Sequence, residues 1–243
     1  MPEEQHITSV FDRDLEAIQG KIMKMGGLVE AAILDAAQSL ETRDEELAEK
    51  VRAGDRAIDE LEAVINEDAA RLIALRSPAA ADLRIVLSVM KISSNLERIG
   101  DYAKNMAKRT TILSNMSPIN GSQAALRRMA REVNEMLKDA LDAYIQRDAA
   151  KARDVIERDV DVDQMYNALF REFLTFMMED PRNITACMHL HFMAKNTERM
   201  GDHVTSIAEQ VIYLVTGDNP DSPRPKSDKT SVDATLSPEA KTN

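Results

Sequence analysis

Apolar residues recur every seven positions along two stretches of the chain. The eight positions are Val51, Ile58, Ile65, Leu72, Val155, Val162, Leu169 and Phe176. A seven-residue apolar spacing places side chains along one side of a helix, where they form the seam against a second helix that crosses at a shallow angle. The pattern therefore predicts long helices that pack side by side.

Six long helices account for this pattern and for the turn residues between the apolar stretches. We predict helices over residues 8–41, 44–76, 78–114, 121–147, 149–179 and 181–216. Asp44 and Asp148 can cap the second and fifth helices. In Ser77-Pro78 and Asp180-Pro181, the first residue can cap a helix that has the proline in its first position.

The second half of the chain repeats the first half. Asp44, Asp55 and Asp59 recur 104 positions later as Asp148, Asp159 and Asp163. Further along the chain the offset between the repeats is 101 residues. There, residues 95–101 match residues 196–202 at five of seven positions; the two sequences are Asn-Leu-Glu-Arg-Ile-Gly-Asp and Asn-Thr-Glu-Arg-Met-Gly-Asp. Because short connections require antiparallel neighbours, we predict an all-α fold of two tandem, pseudo-repeated antiparallel three-helix bundles. The predicted parts are a first bundle over 1–114, a linker over 115–120, a second bundle over 121–217 and a disordered tail over 218–243.

Composition and charge narrow the class of function. The chain has 31 Lys and Arg against 42 Asp and Glu, a net charge of −11, so nucleic acid is not expected as a main partner. Aromatic residues make up 4% with no Trp, which favours helices over a β-sandwich. The single cysteine, Cys187, excludes an internal disulfide and a cysteine-based zinc site. The polar, acidic start and the lack of an 18-residue apolar run predict a cytoplasmic protein.

Pairs of carboxylates four residues apart recur in both halves. The pairs are Asp55 with Asp59, Glu97 with Asp101, Asp159 with Asp163, and Glu198 with Asp202. Carboxylates stacked on one helix face repel each other by about 0.2–0.5 kcal/mol per pair, and a hard cation with oxygen ligands would offset that repulsion. Chance alone gives about seven acidic pairs at this spacing, so the argument depends on their repetition in register. These eight carboxylates are candidate metal ligands, contributed by the middle and last helices of each half.

The glycines beside the acidic pairs support a metal site, whereas other single residues have a plainer explanation. A glycine inside a helix costs about 1 kcal/mol relative to alanine, so Gly100 and Gly201, beside the acidic pairs, indicate the close approach of a neighbouring backbone or space for a metal cluster. Gly26-Gly27 indicates a close helix contact. His203 is interpreted as a flanking group rather than a ligand. Two further histidines are expected in the core or at an interface: His189 and His191.

The duplicated motifs resemble those of a known family. Residues 97–102, Glu-Arg-Ile-Gly-Asp-Tyr, and residues 197–203, Thr-Glu-Arg-Met-Gly-Asp-His, look like motifs of the PhoU family of bacterial phosphate-signalling accessory proteins. Residues 6–15 and the Met-Gly-Gly-Leu-Val-Glu stretch at 25–30 are also similar to that family. The resemblance covers roughly residues 6–216.

The resemblance implies regulation rather than catalysis. Members of the family are cytoplasmic and often homodimeric, and they act with the ATPase subunit of the phosphate ABC transporter and with a phosphate-sensing histidine kinase. They reach the membrane only through these partners. They restrain phosphate uptake and help to keep the kinase from activating the phosphate-starvation response. Two alternatives stay open: a carboxylate-bridged metal-binding helical-bundle enzyme, and a metal-free helical scaffold with solvated acidic pairs.

The resemblance also implies a ligand set, because in some members of the family the paired carboxylates hold multinuclear iron or zinc clusters. Carried onto this chain, the implied ligands are Asp55, Asp59, Glu97 and Asp101 in the first half, and Asp159, Asp163, Glu198 and Asp202 in the second. Asn105 fits the family pattern. Ser206 stands where the family pattern has Asn, which implies that the two sites differ in affinity or occupancy.

Overall fold

The computed structural model describes residues 2–218, with side chains from residue 11 onward, and this part of the chain is all-helical. The six helices are α1 Pro2–Thr42, α2 Glu45–Arg76, α3 Ala80–Leu113, α4 Ser122–Gln146, α5 Ala149–Glu179 and α6 Ile184–Thr216, with a short 3₁₀ helix at Pro181–Asn183 before α6. The predicted fold class of six long helices is therefore confirmed. All but Asp218 of the predicted disordered tail, 218–243, lies outside the described residues.

The capping predictions are confirmed at three of four places. The Asp44 carboxylate accepts from the backbone N–H of Leu47, and the Asp148 carboxylate caps the start of α5 in the same way. Asp180 caps the 3₁₀ helix that begins at Pro181, so α6 itself begins three residues later than predicted.

The prediction that Ser77 caps α3 with Pro78 in its first position is wrong. Ser77 instead ends α2: it has a φ of 46° and its backbone N–H donates to the carbonyl oxygen of Ile73. In this left-handed conformation Ser77 cannot also be the extended N-cap residue that the next helix needs. Ala79 is that residue, with a φ of −94° and a ψ of 152°, and α3 begins at Ala80.

The predicted apolar seam lies in the core. Seven of its eight residues are buried, and Phe176 is partly buried against the same core. The buried residues are Val51, Ile58, Ile65, Leu72, Val155, Val162 and Leu169. Burying an aliphatic or aromatic side chain of this size contributes about 1.5–3 kcal/mol, so the seam contributes a large share of the packing of α2 and α5.

Contacts also join the two halves of the chain. α2 packs on α1 and α3, and α5 packs on α4 and α6, while α3 lies along α6 and α1 lies along α4. The α3–α6 pair is antiparallel, because Asn95 near the middle of α3 contacts His203 and Arg109 near its end contacts His189. The four central helices α1, α3, α4 and α6 therefore form one packed group that α2 and α5 flank. The division into a first bundle over 1–114, a linker over 115–120 and a second bundle over 121–217 stays a prediction.

The glycine pair in α1 lies where α1 meets α4. A Cβ at Gly26 would collide with the Cδ1 of Leu141, whereas a Cβ at Gly27 would meet no atom within 4 Å. The predicted close helix contact is thus confirmed for Gly26 and wrong for Gly27, because only one of two consecutive helical positions can face the same neighbour. Within residues 2–218, no helix combines the length and the apolar character needed to cross a membrane.

Candidate functional site

The four predicted carboxylates of the first half, which we call the first acidic cluster, lie where α2 crosses α3. Asp55 is buried at 5% exposure and Asp59 is exposed, while Glu97 and Asp101 are half-buried. Gly100 permits this crossing: a Cβ there would lie 3.0 Å from the Cδ1 of Ile58 and 3.9 Å from an oxygen of Asp55. The nearest atoms at Gly100 belong to side chains of α2 rather than to a neighbouring backbone, and the alternative of space for a metal cluster stays a prediction.

A lysine lies between the two helices of the first acidic cluster. The Lys104 ammonium donates to Oδ2 of Asp55 and, at 3.3 Å, to Oδ1 of Asp101. These hydrogen bonds, with the Asp55 bond the largest cause, raise the pKa of Lys104. The positive charge that offsets the stacked carboxylates here thus comes from the chain itself. Sequence reasoning missed Lys104, although its position three residues after Asp101 places it on the same helix face.

The electrostatics of the first acidic cluster show that its members act on one another. Burial, together with repulsion from Asp101, raises the pKa of Glu97 to about 7, against a lowering by Arg98. Burial and the charge of Asp55 raise the pKa of Asp59. Glu62 also acts on Glu97, and it lies on the same face of α2, three residues after Asp59. Glu62 is a further acidic residue that sequence reasoning missed, because the second half has Tyr166 at that place.

The four carboxylates of the second half, which we call the second acidic cluster, are more deeply buried. Asp159, Asp163 and Glu198 are 4–5% exposed, and Asp202 is half-buried. A Cβ at Gly201 would lie 2.8 Å from an oxygen of Asp159, so this glycine lets α5 and α6 approach at the acidic residues. As at Gly100, the nearest atoms at Gly201 belong to side chains and not to a neighbouring backbone.

A lysine also reaches the second acidic cluster, from a different position along its helix. The Lys195 ammonium donates to Oε1 of Glu198 at 2.8 Å and lies 4.8 Å from the centre of the Tyr166 ring. Within residues 11–218, no group of three or more His, Cys, Asp or Glu side chains is arranged to hold a metal ion. Carboxylate oxygens are suitable ligands for hard cations, and the eight-residue metal assignment stays a prediction.

The residues that flank the predicted ligands make contacts of other kinds. Asn105 has an exposed side chain, and the Ser206 hydroxyl donates to the carbonyl oxygen of Asp202 at 3.0 Å. The His203 ring donates from Nδ1 to Oδ1 of Asn95 at 2.8 Å and lies 5.7 Å from the Tyr102 ring. His203 thus contacts α3 beside the clusters, in agreement with its interpretation as a flanking group.

The two histidines expected in the core or at an interface, His189 and His191, both lie at helix interfaces. Nδ1 of His189 accepts from the Arg109 guanidinium at 3.2 Å, between α6 and α3. His191 lies among three aromatic rings, with ring centres 5.3–6.0 Å away: Tyr166, Phe170 and Phe192. Burial is the main cause that lowers the pKa of both histidines. The positive charge of Arg109 also lowers the pKa of His189, and that of Lys195 also lowers the pKa of His191.

Comparison with known proteins identifies the family of this duplicated fold. The PhoU domain model matches residues 22–110 and 126–211. A relative from Caulobacter vibrioides (strain NA1000 / CB15N) is 45% identical over 224 residues, which are 92% of this chain and 97% of the relative. A relative from Rhizobium meliloti (strain 1021) is 44% identical over 227 residues, which are 93% of this chain and 96% of that relative. Both relatives are named phosphate-specific transport system accessory protein PhoU homolog.

Solved structures give the same result. The crystal structure of PhoU from Pseudomonas aeruginosa superposes with a TM-score of 0.82 at 40% identity and covers 86% of this chain and 100% of that one. The crystal structure of the phosphate transport system regulatory protein PhoU from Streptococcus pneumoniae superposes with a TM-score of 0.81 at 31% identity. The match covers 87% of this chain and 100% of that one. The two matched segments, the six-helix fold and the similarity to relatives over 92–93% of this chain lead to one conclusion: the chain belongs to the PhoU family.

Proposed function

We propose that this protein is a regulatory accessory protein of phosphate homeostasis that acts on the phosphate ABC transporter. The observation that carries the proposal is the similarity to the Caulobacter relative, which extends over 92% of this chain and 97% of a protein named as an accessory protein of phosphate-specific transport. The Streptococcus structure, named as a regulatory protein of phosphate transport, supports the same role. The relatives are named as accessory proteins rather than as enzymes, which supports a role without catalysis.

The finer role that we propose is negative regulation of the phosphate-starvation response. In the cytoplasm, a homodimer of this chain would bind the transporter ATPase subunit and the phosphate-sensing histidine kinase, and it would favour the inactive state of each by binding that state more tightly. The net charge of −11 supports docking on basic partner surfaces. Attachment to the membrane would then come through these partners alone.

A deletion experiment tests the regulatory proposal. In a phosphate-replete cell, removing the gene is expected to switch on an alkaline-phosphatase reporter of the starvation response, and the wild-type gene on a plasmid is expected to switch it off again. A reporter that stays silent after deletion would contradict the proposal. Pull-down of the wild-type chain from phosphate-replete membranes and cytoplasm, read by mass spectrometry, tests the two named partners separately.

We also propose that the two acidic clusters can hold cations, with iron or zinc as the candidate metals. Support comes from the donor set: four carboxylates in each half, with three of the second cluster 4–5% exposed. Elemental analysis of the wild-type protein against Glu97→Ala/Asp101→Ala and Glu198→Ala/Asp202→Ala tests this capacity. Equal metal content in all three proteins would contradict it, and a metal-free scaffold would then be the better description.

A further inference from the structure

The Lys104 ammonium occupies the space between carboxylates of two different helices. Its Nζ atom lies within 3.3 Å of one oxygen of Asp55 on α2 and one oxygen of Asp101 on α3. The Asp55 side chain is 6% exposed and that of Asp101 is 32% exposed, so the nitrogen lies between a buried and a partly exposed carboxylate. Oxygens of facing helices that converge on one positively charged atom are the surroundings that a bound cation would have.

The duplication does not supply this lysine to both halves. The position equivalent to Lys104, 101 residues later, is Thr205, and the Thr205 hydroxyl donates to a carbonyl oxygen of its own helix at 2.8 Å. The second half has Lys195 instead, where the first half has Ser94. Each half therefore brings an ammonium group to its carboxylates from a different register position, which indicates that the ammonium has a role of its own beside the acidic residues.

A tethered ammonium and a divalent cation compete for the same oxygens. Lys104 is anchored one turn from Asp101, so its effective concentration at the cluster is high. A divalent cation that binds Asp55 and Asp101 would face repulsion from the ammonium at close range unless the lysine side chain left the cluster. The lysine can leave, because its side chain is 40% exposed to solvent.

We propose that Lys104 is the resident counter-ion of the first acidic cluster, and that a divalent cation occupies this cluster only after displacing its ammonium group. Lys104 then sets how much free cation the first half needs. The inference rests on the proposal that the carboxylates can hold cations, and it does not depend on the regulatory role.

Calorimetric titration with Mn²⁺ of protein freed of metal by a chelator tests this inference. Lys104→Met keeps the aliphatic stem and removes the charge, and it is expected to lower the Kd for Mn²⁺ of one site per chain by about tenfold. Lys104→Arg keeps the charge and is expected to bind as the wild type does. The matched control is Lys108→Met, an exposed lysine one turn further along the same helix, which is expected to change nothing. Adding Asp55→Asn and Asp101→Asn to Lys104→Met is expected to abolish the increase in affinity for Mn²⁺.

Each other outcome has a definite meaning. If the wild type binds Mn²⁺ as tightly as Lys104→Met, and Asp55→Asn/Asp101→Asn removes that binding, the cluster holds cations but the lysine inference is wrong. If none of the variants binds Mn²⁺, both the inference and the cation proposal for this cluster are wrong. Should Lys104→Met unfold in chelator, refolding on addition of Mn²⁺, followed by circular dichroism, would support the inference, and failure to refold would contradict it.

Discussion

Lys104 of α3 and Asp55 of α2 form an ion pair across the helix crossing of the first half, with the carboxylate almost completely buried and the lysine partly exposed. The two partners are therefore not equivalent. Losing the lysine leaves the buried Asp55 carboxylate without this ion pair, whereas losing the carboxylate charge leaves an ammonium that can still reach Asp101 and solvent.

This difference predicts unequal effects on stability. Lys104→Met is expected to lower the free energy of unfolding by about 2–3 kcal/mol, less than the 3–5 kcal/mol of a fully buried pair because the lysine is partly solvated. Asp55→Asn is expected to cost about 1 kcal/mol, because the amide oxygen can still accept from Lys104. Urea unfolding in the presence of a chelator measures both, with Lys108→Met as the control. A larger cost for Asp55→Asn than for Lys104→Met would contradict this account of the pair.

The adjacent glycines of α1 predict opposite effects of the same substitution. Gly27→Ala is expected to stabilise the protein by about 1 kcal/mol, because alanine favours the helix and its Cβ would meet no atom within 4 Å. Gly26→Ala is expected to destabilise it, because its Cβ would collide with Leu141 in the core between α1 and α4. Thermal melting of the two variants side by side checks the prediction. Equal shifts of Tm in the same direction would show that α1 and α4 do not approach at Gly26.

The hydrogen bond between Asn95 and His203 predicts energetic coupling between α3 and α6. A double-mutant cycle with Asn95→Ala and His203→Ala is expected to give an interaction energy of about 0.5–1.5 kcal/mol, the usual net value of one hydrogen bond. Asn105→Ala, at an exposed position of α3, is the matched control. Its effect on the free energy of unfolding is expected to add to that of His203→Ala, with no interaction energy between the two substitutions. Coupling of the same size to Asn105 would rule out the specific Asn95 contact as its source.

His191 predicts a dependence of stability on pH. Burial among aromatic rings, and then the charge of Lys195, lowers the pKa of His191 below its ordinary value. Above pH of about 6.5, the ordinary pKa of histidine, the imidazole is neutral in both the folded and the unfolded chain and contributes no pH dependence. Below that pH the unfolded chain binds a proton more readily than the folded one, so the free energy of unfolding falls.

Replacing His191 with Phe is therefore expected to reduce the loss of stability between pH 7 and pH 5. Urea unfolding of the wild type and of His191→Phe at several pH values in this range gives the two slopes. Comparing slopes rather than absolute stabilities removes the effect of the substitution on packing. Parallel curves for the two proteins would show that His191 titrates alike in the folded and unfolded chains.

The sequence determined which side chains three, four or seven residues apart share a helix face, because the geometry of a single helix fixes this. The apolar seam from Val51 to Leu72 and the acidic pairs of both halves follow from such spacing. The caps at Asp44 and Asp148 follow from residue type, and the duplication follows from matching residues at offsets of 104 and 101. Glu62 and Lys104 were within reach of the same reasoning, since each lies three residues after a predicted ligand.

Which side chain meets which across two helices was decided only by the tertiary structure. Three contacts each join residues on different helices: the Lys104 ammonium with Asp55, Asn95 with His203, and the close approach of Leu141 to Gly26. Such contacts depend on where two helices cross and how far one is shifted along the other. These quantities result from the packing of all the side chains at the interface together, so short-range spacing in the sequence does not contain them.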